Sequence, residues 1–511
     1  MSIVAVDFGT SNTVVCLENR ARGTPETLVF PFSAHYPGGP PLVPSAVYID
    51  SRGEALIGRP AAAATDKSRL FRGFKRDLSQ EFEPSPRLVD GASYTSARVG
   101  EIFLDRLYAA LNAQGVLPSQ LILSAPVGAY EHYLNWLREA CFRLALPEPL
   151  VVDESTAAAL GYAIEAPGAL VLVVDLGGGT LDLSLVRTSP LPTGAREQRA
   201  EVIAKSDRPW GCGGADIDQW IAEDYLDRAG LTRRSIGETA WQNLLLVAEA
   251  VKIRLSAQRF AAESWFDEQS FETHELRLDR DGLEAILERQ QLLDRLREAV
   301  DEVLDQAYGR GVAKKEIAHV VLVGGTGLIP AVRKQLIGLF GREKVRFGKP
   351  FEAVAHGALT LARYGAVEDH LRHTYALRHW NPYAKAYEYL PLFTGGTPYP
   401  VAGEPILLQA NAAGQKEVSL VLGELSAGTT TEVYEDAAGM LRTRPGSADG
   451  SFRPLGKRNQ VNFTLDPPGV AGVDRLEVRF AVDGTRTLRV TVRDLSTGRL
   501  LVDEQPAGRL K

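Results

Sequence analysis

Three short apolar runs in the chain each stop on a polar or glycine turn: residues 3–6 (IVAV) at Asp7, 171–174 (VLVV) at Asp175, and 320–323 (VVLV) at Gly324. Runs of β-branched and aliphatic residues this short predict buried strands. After Asp7 the chain passes through Phe8, Gly9, Thr10, Ser11 and Asn12 and resumes as TVVCL. After Asp175 it passes through Gly177, Gly178, Gly179 and Thr180 and resumes as the alternating Leu181, Leu183 and Leu185. Both read as tight β-hairpins. The third run continues through Gly324, Gly325, Thr326 and Gly327 into a helix opened by Pro330 near its first position. Residues 121–126 read as a further buried strand, between helical spacings over 99–112 and 130–145. Ser155 or Thr156 is expected to cap a helix rich in small residues, with Glu154 just before it. A second glycine-rich turn, 210–214 from Trp210 and Gly211 to Gly213 and Gly214, opens another helix. Residues 241–256 read as a strong helix with Leu244, Val247 or Ala248, Val251 and Leu255 inward. One charged amphipathic helix is expected over 282–309.

Helical periodicity ends after Tyr364. Residues 366–373 (AVEDHLRH) are polar and charged and read as an interdomain linker. Beyond them only strand patterns remain. In the best hairpin, Leu476, Val478, Phe480 and Val482 face Leu488, Val490 and Val492 across Asp483, Gly484 and Thr485. The predicted organisation is an α/β domain over 1–365, a linker over 366–373 and an all-β sandwich over 374–511.

With 511 residues, more than one core is required. A net charge of -7 gives no basic field for nucleic acid or an anionic membrane, so neither is expected as a partner. Cys16, Cys141 and Cys212 lie far apart without CxxC spacing, which disfavours zinc and a disulfide framework and fits a reducing cytoplasm. The N-terminus shows no signal-peptide pattern, and no apolar run approaches the roughly 20 residues that span a bilayer.

The chemistry lies in the turns. Successive glycine N–H groups can cradle phosphate, hydroxyls at Thr10, Ser11 and Thr180 add donors, and Asp7 and Asp175 can hold a hydrated Mg²⁺. Two such hairpins from duplicated lobes can clasp a triphosphate from opposite sides. Lys75 reads equally as a solvated charge. Glu249, Lys252 and Ser256 share one polar face of their helix, which by itself reads as a solvated face.

Together, VAVDFGTSNTVV, DESTAAALGYAIE, VVDLGGGTLDLSLV and VLVGGTGLIPAV stand in the order and at about the spacing of four signature segments. In this the chain resembles the seventy-kilodalton heat-shock chaperones of the actin-like ATPase superfamily. The resemblance implies a duplicated, ribonuclease H-like two-lobed ATPase domain followed by a peptide-binding β-sandwich, without the family's C-terminal helical lid. It implies slow hydrolysis of ATP to ADP, with ATP/ADP and Mg²⁺ as ligands. Gly9, Thr10, Ser11, Asn12, Gly177, Gly178, Gly179 and Thr180 would hold phosphate, and Asp7 and Asp175 would hold Mg²⁺ through water. Lys75 would orient the attacking water, Glu154 would be the acid near the metal, and Thr180 would assist release of the terminal phosphate. Gly213, Gly214, Glu249, Lys252, Ser256, Gly324, Gly325 and Thr326 would surround the adenosine. Unfolded or extended polypeptides, with co-chaperones or an exchange factor, are the implied partners of a cytoplasmic monomer. The alternative is a nucleotide-dependent scaffold whose β-domain docks one folded partner.

The chain departs from the family pattern at several points. AVEDHLRH replaces the apolar linker. Pro126 matches the proposed switch proline, but Leu134 stands in place of its relay arginine. Leu328 replaces the arginine that stacks on adenine, and Phe351 replaces an aspartate.

Overall fold

The computed structural model describes residues 2–19, 24–35, 39–78, 84–126, 131–163, 169–188, 199–208, 212–267, 271–364, 366–371, 373–381, 386–395, 397–425, 431–435, 441–445, 452–455, 460–484 and 486–510. Tyr130, Trp210, Gly211, Arg372 and Thr485 of the expected elements lie outside these. Packing divides the chain into two units, Met1–Val367 and Glu368–Lys511.

The first unit contains the same sheet twice. In the N-terminal lobe, β1 (Ser2–Phe8) and β2 (Asn12–Asn19) form an antiparallel hairpin, and β3 (Thr24–Thr27) continues it. On the other side of β1, β4 (Pro118–Ala125) and β5 (Pro149–Asp153) run parallel, giving the order β3-β2-β1-β4-β5. The C-terminal lobe repeats this with β6 (Leu170–Leu176), β7 (Leu181–Thr188), β8 (Arg199–Arg208), β9 (His319–Val323) and β10 (Val345–Arg346), in the order β8-β7-β6-β9-β10. The central strand of each lobe is flanked by an antiparallel and a parallel neighbour, and apart from Asp175 the side chains of β6 are apolar. All seven residues of β6 are buried. The next-to-last residue of each central strand is an aspartate, Asp7 or Asp175, just before the turn of its hairpin.

Two helices, Glu154–Ala163 and Ala353–Tyr364, cross between the sheets. Small residues on both, Ala157, Ala158, Ala355 and Ala358, join Ala5, Ile122, Val171 and Val321 from the two sheets in one core. Each lobe has its own larger apolar core besides.

Several expectations are corrected by tertiary contacts. The helix of the DEST segment starts at Glu154 itself. Ser155 does not cap it; its hydroxyl is bonded to that of Ser184 at 2.6 Å. The helix expected over 282–309 is two, Arg280–Arg289 and Leu292–Gly309, because Gln291 takes a left-handed conformation (φ 57°) that breaks the ladder. The helix around Trp241 extends over Arg233–Ala257 with a break at Gly237. Within 366–373, expected as a linker, Ala366–His370 is a strand that pairs Asp369 with Tyr399 and His370 with Pro398.

The second unit is a sandwich. One sheet holds Ala386–Phe393, Thr374–Asn381, Glu417–Leu425 and Phe452–Pro454, with Val461–Thr464 also pairing Glu417–Leu425. The other centres on Asp474–Val482, Thr487–Asp494 and Leu500–Arg509. Tyr375, Leu377, Leu420 and Leu422 from the first meet Val478, Phe480, Val490 and Val492 from the second. Among the described residues this unit has no helix.

Candidate functional site

The turns of the two hairpins abut. A Cβ on Gly178 would overlap the Ser11 hydroxyl and come 3.4 Å from Thr10, while one on Gly179 would lie 3.0 Å from Thr10 Oγ1. Only glycine lets the two backbones approach this closely. Ser45 fixes the first turn: its N–H donates to Ser11 O at 2.9 Å and its hydroxyl donates to Gly9 O at 2.7 Å. In the second turn, Gly177 N–H donates to Thr180 O, closing the turn. Gly177 O accepts from Gly214 N at 3.0 Å and from Thr326 Oγ1 at 2.8 Å, and Gly178 O accepts from Ala215 N. Three segments separate in sequence, around Gly178, Gly214 and Thr326, therefore form one backbone-lined wall.

Beside the abutting turns lies a buried charge cluster. Lys75 Nζ is 2.5 Å from Glu154 Oε1, and both side chains are less than a tenth exposed. Asp7 Oδ1 accepts from the Ser124 hydroxyl at 2.6 Å. Burial and the charge of Glu154 push the Asp7 carboxyl up to about 7, against the opposing pull of Lys75 and Ser124. Burial, followed by Glu154, Asp182 and Asp7, raises Asp175 well above the carboxylate range. For Lys75, burial pulls the ammonium down, but the charges of Glu154, Tyr133 and Asp7 outweigh it and hold its pKa above the ordinary lysine value. Three carboxylates thus share one cation. A surplus of acid this deeply desolvated fits a divalent cation. Among the described residues no three acid, histidine or cysteine side chains converge as direct metal ligands.

The shift of Asp7 has a testable sign. A carboxyl that is unprotonated above pH 3.8 in the unfolded chain but holds its proton to about pH 7 when folded favours the folded state at the acid end, and that contribution is lost as pH rises through about 7. In metal-free buffer, stability is therefore expected to fall between about pH 4 and pH 7, where the folded chain holds the proton and the unfolded chain does not, and to level off above. Asp7→Asn should flatten the decline in chemical denaturation series; an unchanged slope would contradict the assignment.

The expected adenosine-side residues are gathered but differently engaged. Lys252 Nζ donates to Gly214 O at 2.8 Å and pairs with Asp218 at 2.7 Å. Glu249 is gripped from the opposite lobe by both terminal nitrogens of Arg72, at 2.6 and 3.0 Å, and despite burial this holds its carboxyl below the usual range. Ser256 donates to Lys252 O of its own helix. The polar helix face is thus a contact surface. Gly325 lies against the ring of Phe351, whose Cε1 would be 3.2 Å from a Cβ there. Asn12 opens β2, and its side-chain oxygen is buried without a hydrogen-bond partner.

Sequence reasoning missed Arg72, Arg76 and Ser45. Arg76 reaches across the lobes to Asp216 at 2.6 Å, and the other oxygen of Asp216 caps Gly213 N–H at 2.9 Å. The signal was present in FRGFKR, where arginines lie three before and one after Lys75, but their partners lie 177 and 140 residues away.

A family model described as Hsp70 protein matches residues 146–369. The chain is 27% identical over 522 residues to the chaperone protein DnaK of Thermotoga petrophila, covering 97% of this chain and 79% of that protein. It is equally similar to the DnaK of Thermosipho africanus, with 78% of that protein covered, and 26% identical to that of Thermosipho melanesiensis.

Proposed function

We propose that the chain acts as the Hsp70 proteins it is similar to, ATPases that work as nucleotide-dependent chaperones: its first unit hydrolyses ATP between the abutting hairpin turns and its second holds client polypeptide. The observation that carries this is the convergence of both glycine–hydroxyl turns on one buried Lys75–Glu154 pair flanked by Asp7 and Asp175. Gly9, Thr10, Ser11 and Asn12 on one side and Gly177, Gly178, Gly179 and Thr180 on the other would bind the phosphates through N–H and hydroxyl donors. Asp7 and Asp175 would hold Mg²⁺ through its waters; bound there, the ion supplies neutralising charge at the phosphates. Lys75, kept charged by Glu154, would place the attacking water and offset the charge developing on the terminal phosphate. Gly213, Gly214, Glu249, Lys252, Ser256, Gly324, Gly325 and Thr326 would take the nucleoside, with Lys252 exchanging Asp218 for the ligand. Arg72 and Arg76, which tie the lobes through Glu249 and Asp216, would hold the cleft shut until these pairs part.

The β-sandwich would take extended polypeptide, and co-chaperones are the partners this reading implies. Among the described residues no helix is long and apolar enough to cross a membrane. The deciding experiment follows a labelled unfolded polypeptide bound to the full chain. Addition of Mg-ATP should speed its release by about tenfold or more over Mg-ADP, whereas equal rates would mean that nucleotide does not govern client affinity.

A further inference from the structure

The outer face of the sandwich's first sheet carries an ordered platform of aromatic rings around one arginine. Strand Thr374–Asn381 places Arg378 and Trp380 on this face, opposite Tyr389 and Tyr387 of strand Ala386–Phe393, while Tyr375 and Leu377 alternate into the core. Trp380 meets Tyr387 edge to face at 5.2 Å, and Tyr389 stacks on Phe452 at 4.7 Å. Phe452, paired with Leu425, lays its ring over Gly423 two residues along the neighbouring strand: a Cβ on Gly423 would lie 2.5 Å from that ring. The Arg378 guanidinium sits 4.5 Å from the centroid of Tyr387 and 5.8 Å from that of Phe452. The platform spans four strands, and Trp380, Tyr387 and Tyr389 are 40, 55 and 39% exposed. Rings of this size are seldom left in water without a use.

The charge on the platform lacks a counterpart. Arg378 Nε is buried with no hydrogen-bond partner, and no carboxylate among the described residues pairs with the side chain. Its cross-strand neighbours on that face, Tyr389 and Val421, are uncharged. The nearby acid, Glu388, occupies the opposite face beside His379 at 3.9 Å. A guanidinium stacked on rings and stripped of water on one edge is a strong receptor for a carboxylate, more so than an ammonium would be.

We propose that this face selects extended polypeptide segments in which an acidic side chain lies among aromatic ones, the carboxylate reaching Arg378 and the rings stacking on Trp380, Tyr387 and Tyr389. Resting on the client-binding reading above, it supplies the chemistry of the client. A neutral glucan would use the rings but leave the arginine unanswered, so the anion favours peptide.

The test uses the full chain and labelled peptides of equal length in fluorescence anisotropy: one with glutamate between tyrosines, the same with glutamine, and one rich in leucine, with a glucan oligosaccharide as competitor. The glutamate peptide should bind about tenfold or more tightly than its glutamine partner, the size expected of a charge-assisted pair. Arg378→Met, which keeps the stem, should bring that ratio close to one. Trp380→Ala should weaken both tyrosine peptides while circular dichroism shows an intact fold. Tighter binding of the leucine peptide, with Arg378→Met indifferent, would overturn the selection and leave client binding standing. Binding of the glucan but of no peptide would overturn both.

Discussion

Lys75→Ala is expected to slow single-turnover hydrolysis of bound ATP by at least about 100-fold, with nucleotide affinity changed far less. The residue is 3% exposed, and Glu154 at 2.5 Å keeps it charged. A buried cation beside the turns contributes most where charge builds up in the transition state, because no water is present to screen it. Two controls separate chemistry from folding. Removing the lysine leaves Glu154 buried with Asp7 and Asp175 and no cation among them, an arrangement that costs about 3–5 kcal/mol when a buried pair is broken on one side. The double variant Lys75→Met with Glu154→Gln removes that penalty and should fold normally yet remain slow. Rapid quench measurements finding either variant as fast as the parent would remove Lys75 from the reaction.

Gly357→Ala should lower the stability of the first unit by about 3 kcal/mol or more, at the upper end of overpacking effects, and depress its thermal transition by several degrees. The helices Glu154–Ala163 and Ala353–Tyr364 cross at this glycine. A Cβ there would overlap the carbonyl of Ala157 and come 2.7 Å from Gly161 N, while one on Gly161 would lie 2.6 Å from Ala353 O. These are backbone atoms inside two helices, so relief requires separating the helices and opening the core they share with both sheets. Gly338, within helix Pro330–Phe340, has open space where a Cβ would go. Gly338→Ala should therefore stabilise slightly through helix propensity alone. Equal effects at the two positions in differential scanning calorimetry would refute the close-crossing argument.

Both hairpins, the parallel strand at 121–126 and the alternating hairpin near the C-terminus are local patterns, and all appear as expected because one apolar run needs only its own turn to declare itself. The duplication also follows from the sequence, since Asp7 and Asp175 end equivalent strands. What failed was local geometry under distant control. The hydroxyl of Ser155, inside the first turn of its helix, is taken by Ser184, and within the expected linker Asp369 and His370 pair with Tyr399 and Pro398 about 30 residues on.

From composition and pattern the chain dictated its layers, its two lobes, its β-sandwich and the turn residues fit for phosphate, because periodicity, glycine and hydroxyl content act within a few neighbours. Only the tertiary structure decided which charges meet. Lys75 with Glu154, Arg72 with Glu249, Arg76 with Asp216 and Arg378 among its rings are joined across strands and lobes. Desolvation, which turns these meetings into shifted protons and held charges, exists only once the chain has closed around them.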